Sequence, residues 1–88
     1  MAHFARTNGT TVVDVHVVNN AVITNPDGLE VEALGQAFLA ELWGGDPLDY
    51  IQCSYNGTFR GVYPGVGYTW DGTVFSPPSA TVIEGQNG

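Results

Sequence analysis

Hydrophobic and polar residues alternate along the first part of the chain in the manner of a β-hairpin. The stretch "AHFAR" at 2–6 predicts a short strand, and "TTVVDVHVVN" at 10–19 predicts a second one. Asn8-Gly9 between them suits a tight turn, because both central residues of a type I′ turn need positive φ. The alternation predicts a core face formed by Thr11, Val13, Val15 and Val17 and a partly solvated face formed by Val12, Asp14, His16 and Val18.

A helix is predicted in the stretch "LEVEALGQAFLAELWGG" at 29–45. The turn "NPDG" at 25–28 precedes it, and Asp27 is predicted to cap its start. Gly35 costs on the order of 1 kcal/mol in a helix unless it permits close packing on a sheet, and Gly44-Gly45 ends the helix. The predicted buried stripe consists of Leu34, Phe38 and Leu42, widened by Val31, Leu39 and Trp43.

The remaining pattern predicts three more short strands. One lies in "LDYIQCSY" at 48–55, and "GYTW" and "TVF" form a hairpin closed by Asp71-Gly72. Residues 79–88 are predicted to be a flexible or partner-ordered tail. The sequence therefore predicts a single α+β domain over 1–78, in which one amphipathic helix packs on an antiparallel sheet of about five strands.

Charge and composition narrow the class of partner. The 88-residue chain has no lysine, two arginines (Arg6 and Arg60) and a net charge of −7. Nucleic acids and anionic membranes are therefore unfavourable partners, since both select clustered cations. The lone Cys53 cannot form an intrachain disulfide. The sequence shows neither a signal-peptide core nor an apolar run of about 20 residues, which favours a soluble protein made in a cytoplasm.

Motifs for cofactors and metals are weak. Gly65 and Gly67 begin a G-x-G-x-x-G pattern, but Trp70 occupies the third glycine position and a strand is predicted to follow. His3, His16 and Cys53 lack the paired spacing of a metal site. The sequence therefore predicts neither a cofactor nor a metal.

An enzymatic interpretation depends on Asp14 and His16. They lie two residues apart on one predicted strand face, which is the local part of a general acid/base arrangement. The sequence places no serine or cysteine nucleophile beside them. Catalysis is therefore the least favoured hypothesis, and it predicts that the two side chains line a pocket.

Aromatic residues are concentrated in the second half of the chain. Rings with a polar tip are favoured both at protein interfaces and where rings stack on sugars. Because one helix covers only one sheet face, some of these rings are predicted to be exposed or buried by a partner. The residues concerned are Tyr55, Tyr63, Tyr68, Trp70 and Phe75.

The string "FRGVYPGVGYTWDGTVFSPP" at 59–78 resembles an element found in small structural and tail-associated proteins of tailed bacteriophages, notably marine and cyanobacterial ones. That element runs F-R-x-x-Y-x-G-x-G-Y-T-[YW]-D and then F-x-P-P. "MAHFAR", "EALGQAFLAELWGG" and "IQCSYNGTFR" are also similar to those proteins, so the resemblance covers most of residues 1–78. The sequence departs from the family at Gly61-Val62, where a more polar pair is expected, and lacks a longer extension beyond the F-x-P-P element.

The resemblance implies a non-enzymatic virion component, synthesised in the host cytoplasm, that docks on the capsid or tail as a multi-copy protein or homo-oligomer. Arg60 is expected to pair with a carboxylate, and Pro77-Pro78 to lie extended along a neighbour. A glycan-binding module that uses Tyr68 and Trp70 is the alternative. The predicted interface residues are Arg60, Tyr63, Tyr68, Trp70, Phe75, Pro77 and Pro78.

Overall fold

The computed structural model describes residues 1–54 and 56–78, and it confirms the α+β class. Two predictions concern residues outside these ranges: the placement of Tyr55 among the aromatic residues and the tail at 79–88. The elements in chain order are β1 (Ala2–Thr7), β2 (Val12–Val18), α1 (Asn20–Ile23), α2 (Glu32–Trp43), a 3₁₀ turn (Pro47–Asp49), β3 (Tyr50–Cys53), β4 (Thr69–Trp70) and β5 (Phe75–Ser76).

The strands form two sheets, so the prediction of one sheet of about five strands was wrong. β1 lies between β2 and β3 in an antiparallel three-stranded sheet, and β4 pairs with β5 in the predicted C-terminal hairpin. The segment that leads into the hairpin forms backbone hydrogen bonds with the larger sheet at the start of β2. There the Val12 N–H donates to the Tyr68 carbonyl at 2.8 Å, and the Gly67 N–H donates to the Val12 carbonyl at 2.9 Å.

A β-bulge overturns the predicted faces of β2. Arg6 pairs with Asp14 but Thr7 pairs with Val12, so Val13 is an extra residue opposite β1. The bulge shifts the alternation by one position, and Val12 and Val18 are buried while Val13 and Val17 are 45% and 50% exposed. The predicted division into one core face and one solvated face was therefore wrong, because Val18 is buried on the helix side of the sheet and Val12 on the opposite side.

Helix α2 packs on one face of the three-stranded sheet. Gly35 makes this close approach possible, because a Cβ there would collide with the Phe4 ring and lie 2.9 Å from Ile23 Cγ2. Of the two possibilities that the sequence left open for Gly35, close packing on the sheet is therefore the one that applies. The core on this side consists of Ala2, Phe4, Val18, Ile23, Leu39 and Tyr50.

The predicted buried stripe of α2 is confirmed at Leu39 but was wrong for its three main residues. Gly35 and Leu39 are the buried residues of the helix, whereas Leu34, Phe38 and Leu42 are 39%, 40% and 59% exposed. The polar residues Glu32 and Gln36 turn toward β3 because their side chains bind its backbone. The helix is therefore rotated relative to the orientation that its hydrophobic residues predict.

The ends of α2 match the prediction in part. Gly44 ends the helix with φ 91°, and its N–H donates to the Ala40 carbonyl at 2.7 Å. Asp27 does not cap the start: Val31 occupies the N-cap position without a side-chain hydrogen bond. Asn25 organises the preceding turn instead, since its Oδ1 accepts the N–H groups of Asp27 and Leu29.

The C-terminal segment, residues 57–78, covers the second face of the sheet. Phe75 is buried there in a core cluster with Ala5, Val12 and Cys53. The chain therefore covers part of the second face by itself, although Val17 on that face is 50% exposed, and the expectation that a single helix leaves one whole face open is corrected.

Candidate interaction surface

The C-terminal segment is fixed to the rest of the molecule through Arg60. Its guanidinium forms two hydrogen bonds with Glu32, Nη1 to Oε2 at 2.6 Å and Nη2 to Oε1 at 2.8 Å. Such a fork-to-carboxylate geometry is the strongest common ion-pair arrangement in proteins. Arg60 therefore pairs with a carboxylate of its own chain, in the first turn of α2.

The same ion pair also completes the hydrogen bonding of the outer edge of β3. The Gln52 N–H donates to Glu32 Oε2 at 2.8 Å, and the Gln52 carbonyl accepts from Arg60 Nη1 at 2.9 Å. Two residues earlier, the Tyr50 carbonyl accepts from Gln36 Nε2 at 2.7 Å. Side chains therefore occupy positions where a fourth strand would otherwise bind.

Charge and burial set the protonation of this pair. Burial raises the pKa of Glu32, but the Arg60 hydrogen bond, the Gln52 N–H and the Arg60 charge together bring the pKa below its ordinary value. The Glu32 hydrogen bond raises the pKa of Arg60 in turn. Both groups are therefore charged at neutral pH.

The backbone at Arg60 is also unusual. Arg60 has φ 58°, a left-handed conformation that non-glycine residues rarely adopt, and its carbonyl accepts the Phe75 N–H at 2.8 Å. Gly61 follows with φ 83°, and a Cβ there would lie 2.8 Å from the Phe75 carbonyl oxygen. This tight reversal therefore needs a glycine at position 61.

The predicted interface aromatics lie between the sheet and the outer surface. Phe75 is buried, while Tyr63, Tyr68 and Trp70 are half-buried and pack against the second core cluster. The ring centres of Trp70 and Phe75 are 4.6 Å apart, and the Arg60 guanidinium lies 5.7 Å from the Trp70 ring centre. These rings therefore contribute to the protein's own core.

The outer surface of the segment is apolar at other positions. Phe59, Val62 and Val66 are 42%, 43% and 69% exposed, and Pro77 and Pro78 are also exposed. The first three are not among the interface residues predicted from the sequence, because their exposure depends on how the segment packs on the sheet. We call Phe59, Val62, Val66, Pro77 and Pro78 the docking surface.

The hairpin beside this surface closes as predicted. Asp71 Oδ1 accepts the N–H groups of Thr73 and Val74, both at 2.8 Å. These two donors hold the pKa of the exposed Asp71 below its ordinary value. A carboxylate thus remains charged at the tip of the hairpin, next to Gly72.

Asp14 and His16 lie on the helix side of the sheet. Asp14 Oδ2 is 3.7 Å from His16 Nε2, which is buried without a hydrogen-bond partner among the described residues. The His16 ring stacks on Trp43 with ring centres 5.5 Å apart. This pair does not line a surface cavity of about 280 Å³ that lies among the described residues.

That cavity is lined by polar groups, among them His3, Glu30, Gln52 and Ser54. Cys53 also borders it, but burial raises the pKa of this thiol to about 12 against the opposing charge of Arg60. A thiol of that pKa is a poor nucleophile. In residues 1–54 and 56–78, no three His, Cys, Asp or Glu side chains are grouped so as to hold a metal ion.

No helix within the described ranges has the length and apolar character needed to cross a bilayer. Comparison with protein-family models, with curated proteins and with solved structures gave no match.

Proposed function

We propose that this chain is a non-enzymatic structural component of a tailed-phage particle, a small decoration or accessory protein that docks on the capsid or tail in many copies. The observation that carries the proposal is the position of the docking surface. It lies on the segment whose sequence resembles the phage proteins, and its apolar side chains are exposed.

The internal contacts of the segment support a docking role. Arg60 and Phe75 hold it against the sheet from both ends, through the Glu32 ion pair and through burial. A surface fixed before binding loses little conformational entropy when it docks. The half-buried Tyr63, Tyr68 and Trp70 pack against the second core cluster and so help to fix the segment, while Pro77 and Pro78 belong to the docking surface.

The lack of charge on the docking surface favours an uncharged, apolar site on the partner. Arg60 is already paired with Glu32, and the side chains of the docking surface carry no charge. Binding would then depend on apolar contact, and repeated sites on a symmetric lattice would add avidity to a weak single contact.

The direct test is mass spectrometry of purified, disrupted phage particles, with gold-labelled antibody on intact particles viewed by electron microscopy. Peptides of this chain in stoichiometric amounts and label over the head or tail are the expected result. Absence of the chain from disrupted particles would overturn the virion assignment.

A variant pair tests the surface itself. Val66→Glu should weaken cosedimentation of the purified chain with particles that lack it, because a carboxylate would be buried against an apolar site. Leu48→Glu is the matched control, since Leu48 is 72% exposed in the 3₁₀ turn after α2. Equal binding by both variants would remove the docking surface from the proposal.

The glycan-binding alternative remains a prediction. Phe75 and Arg60 already contact the Trp70 ring, which leaves less of it for stacking on a sugar. This packing is the reason to prefer protein docking. Saturable binding of the isolated chain to cell-wall polysaccharide, lost in a Trp70→Ala variant that still folds, would reverse the preference.

A further inference from the structure

The outer edge of β2 has a neighbouring strand along only part of its length. β2 is the last strand of its sheet, and on the outer side the Val12 backbone bonds to Tyr68 and Gly67. Within residues 1–54 and 56–78, no further backbone group bonds to this side of β2 beyond Val12. The second half of β2 is therefore an open strand edge, and such an edge can pair with another strand.

The register shows which backbone groups point outward from this edge. Phe4 on β1 lies between Gln52 on β3 and His16 on β2. Gln52 turns its N–H and carbonyl away from β1, so the backbone of Phe4 bonds to His16. Because inward and outward bonding alternate along a strand, the backbone groups of Val15 and Val17 point outward.

One of these outward groups is already bonded. The Val15 N–H donates to Asp14 Oδ1 at 2.8 Å. Among the described residues, the Val15 carbonyl and the Val17 N–H have no such partner. A parallel strand bonds a pair of this kind through a single residue opposite His16, whose N–H donates to the first group and whose carbonyl accepts from the second.

Strand β5 directs the chain toward this edge. Ser76 pairs with Thr69, and Thr69 forms a bridge with Thr11, just before β2. Both pairings are antiparallel, so β5 runs in the same direction as β2. The chain that continues beyond Pro78 therefore leaves β5 in the direction that leads along β2 to Val17.

The length of the remaining chain fits this path. With the bulge taken into account, His16 lies four pairing levels beyond Thr11, which is about 13 Å at 3.3 Å per residue. One strand spacing sideways adds about 5 Å, so the direct path is about 14 Å. The five residues from Ser76 to Thr81 span at most about 17 Å. Thr81 can therefore lie opposite His16 with little slack.

The sequence beyond Pro78 contains a stretch that suits this edge. "ATVIE" at 80–84 has three consecutive β-branched residues, and such residues favour strands. With Thr81 opposite His16, Val82 lies beside Val17, whose side chain is 50% exposed. We propose that residues 80–84 form a fourth strand of the same chain, parallel to β2 on its outer edge. This strand does not depend on the particle role proposed above.

Disulfide trapping in the full chain tests the position of this strand. In Val17→Cys/Val82→Cys the intrachain disulfide should form at least about 10-fold faster than in Leu48→Cys/Val82→Cys, because docking raises the effective concentration of one thiol near the other. Leu48 is a matched control, since it is 72% exposed and precedes β3 at the other edge of the sheet. Cys53 is 3% exposed and should not interfere.

Two results of the trapping experiment would overturn the proposal. Equal rates in the two double variants would show that residues 80–84 have no preference for β2. Disulfides between chains instead of within one chain would place the segment on a neighbouring copy.

Amide hydrogen exchange, followed by NMR, tests the strand pairing itself. The Val17 amide should exchange at least about 10-fold faster in Thr81→Pro than in the unmodified chain, because proline removes the N–H that bonds Val15 and disrupts the strand. Gln86→Pro lies beyond the strand and should leave the exchange of Val17 slow. Equal exchange in all three chains would overturn the proposal. Both tests use the isolated chain, so their failure is distinguishable from failure of the particle role.

Discussion

Arg60 and Glu32, 28 residues apart in the chain, meet through two parallel hydrogen bonds of 2.6 and 2.8 Å. Their side chains are 31% and 27% exposed, so water screens the pair only in part. This ion pair, together with its hydrogen bonds to the Gln52 backbone, links the first turn of α2, the edge of β3 and the C-terminal segment.

Removal of the guanidinium should destabilise the fold. Arg60→Met should lower the free energy of unfolding by about 2 kcal/mol, because it leaves the Glu32 carboxylate and the Gln52 carbonyl without their donor. Arg60→Lys should cost about half of that, since lysine keeps the charge but cannot form the fork. Urea unfolding at pH 7 measures both. Arg6→Met is the control at the other arginine, and an equal loss there would contradict the special role of Arg60.

Stability should fall in acid through Glu32. Its pKa in the folded protein lies below the ordinary value of 4.5, so its contribution is fully present above that pH and is lost as the pH falls through the lower, folded value. The difference in unfolding free energy between the unmodified chain and Glu32→Gln should therefore shrink from pH 7 toward pH 3. Urea titrations at several pH values measure it. A difference that stays constant would show that the carboxylate charge is not what stabilises the pair.

Cys53 should resist alkylation in the folded protein. Its pKa is raised from 9.0 to about 12, which lowers the thiolate fraction at pH 8 about 1000-fold. Iodoacetamide labelling followed by mass spectrometry should be slow in buffer and fast in 8 M urea, where the thiol is solvated. Rapid labelling of the folded chain would mean that the sheet opens readily around Cys53.

Gly35→Ala should be destabilising although alanine is the better helix former. The added Cβ would collide with the Phe4 ring and crowd Ile23, and such overpacking should outweigh the propensity gain to give a net loss of about 1 to 2 kcal/mol. Ala37→Gly, on the exposed side of the same helix, should cost about 1 kcal/mol through propensity alone. Thermal unfolding compares the two. Stabilisation by Gly35→Ala would mean that the helix can move away from the sheet.

The local signals of the sequence predicted much of the fold. Asn8-Gly9, Gly44-Gly45 and Asp71-Gly72 act within a few residues, and the hairpins and the helix end fall where they indicate. The predicted type I′ turn was wrong, however, because Gly9 has positive φ and Asn8 does not. The faces of β2 could not be predicted, because a one-residue bulge at Val13 has no signal in a run of alternating valines.

The orientation of α2 depended on a distant contact. Hydrophobicity favours burial of Leu34, Phe38 and Leu42, but Glu32 bonds Arg60 and Gln52 and turns the helix toward β3. Pairing of these groups could not be read from one sequence, since eight other carboxylates were available to Arg60. The packing of the C-terminal segment on the sheet was missed for the same reason, because it brings together residues far apart in the chain.

The side chains along the edge of β3 also affect the tendency of the chain to aggregate at high local concentration. An open strand edge is a template on which another chain can add, and crowding raises the rate of such mispairing. At Tyr50 and Gln52 the backbone groups facing outward are already bonded to Gln36, Glu32 and Arg60. This edge of the sheet is thereby protected from cross-chain β-aggregation, and loss of the Arg60 side chain would create an aggregation-prone edge as well as a less stable fold.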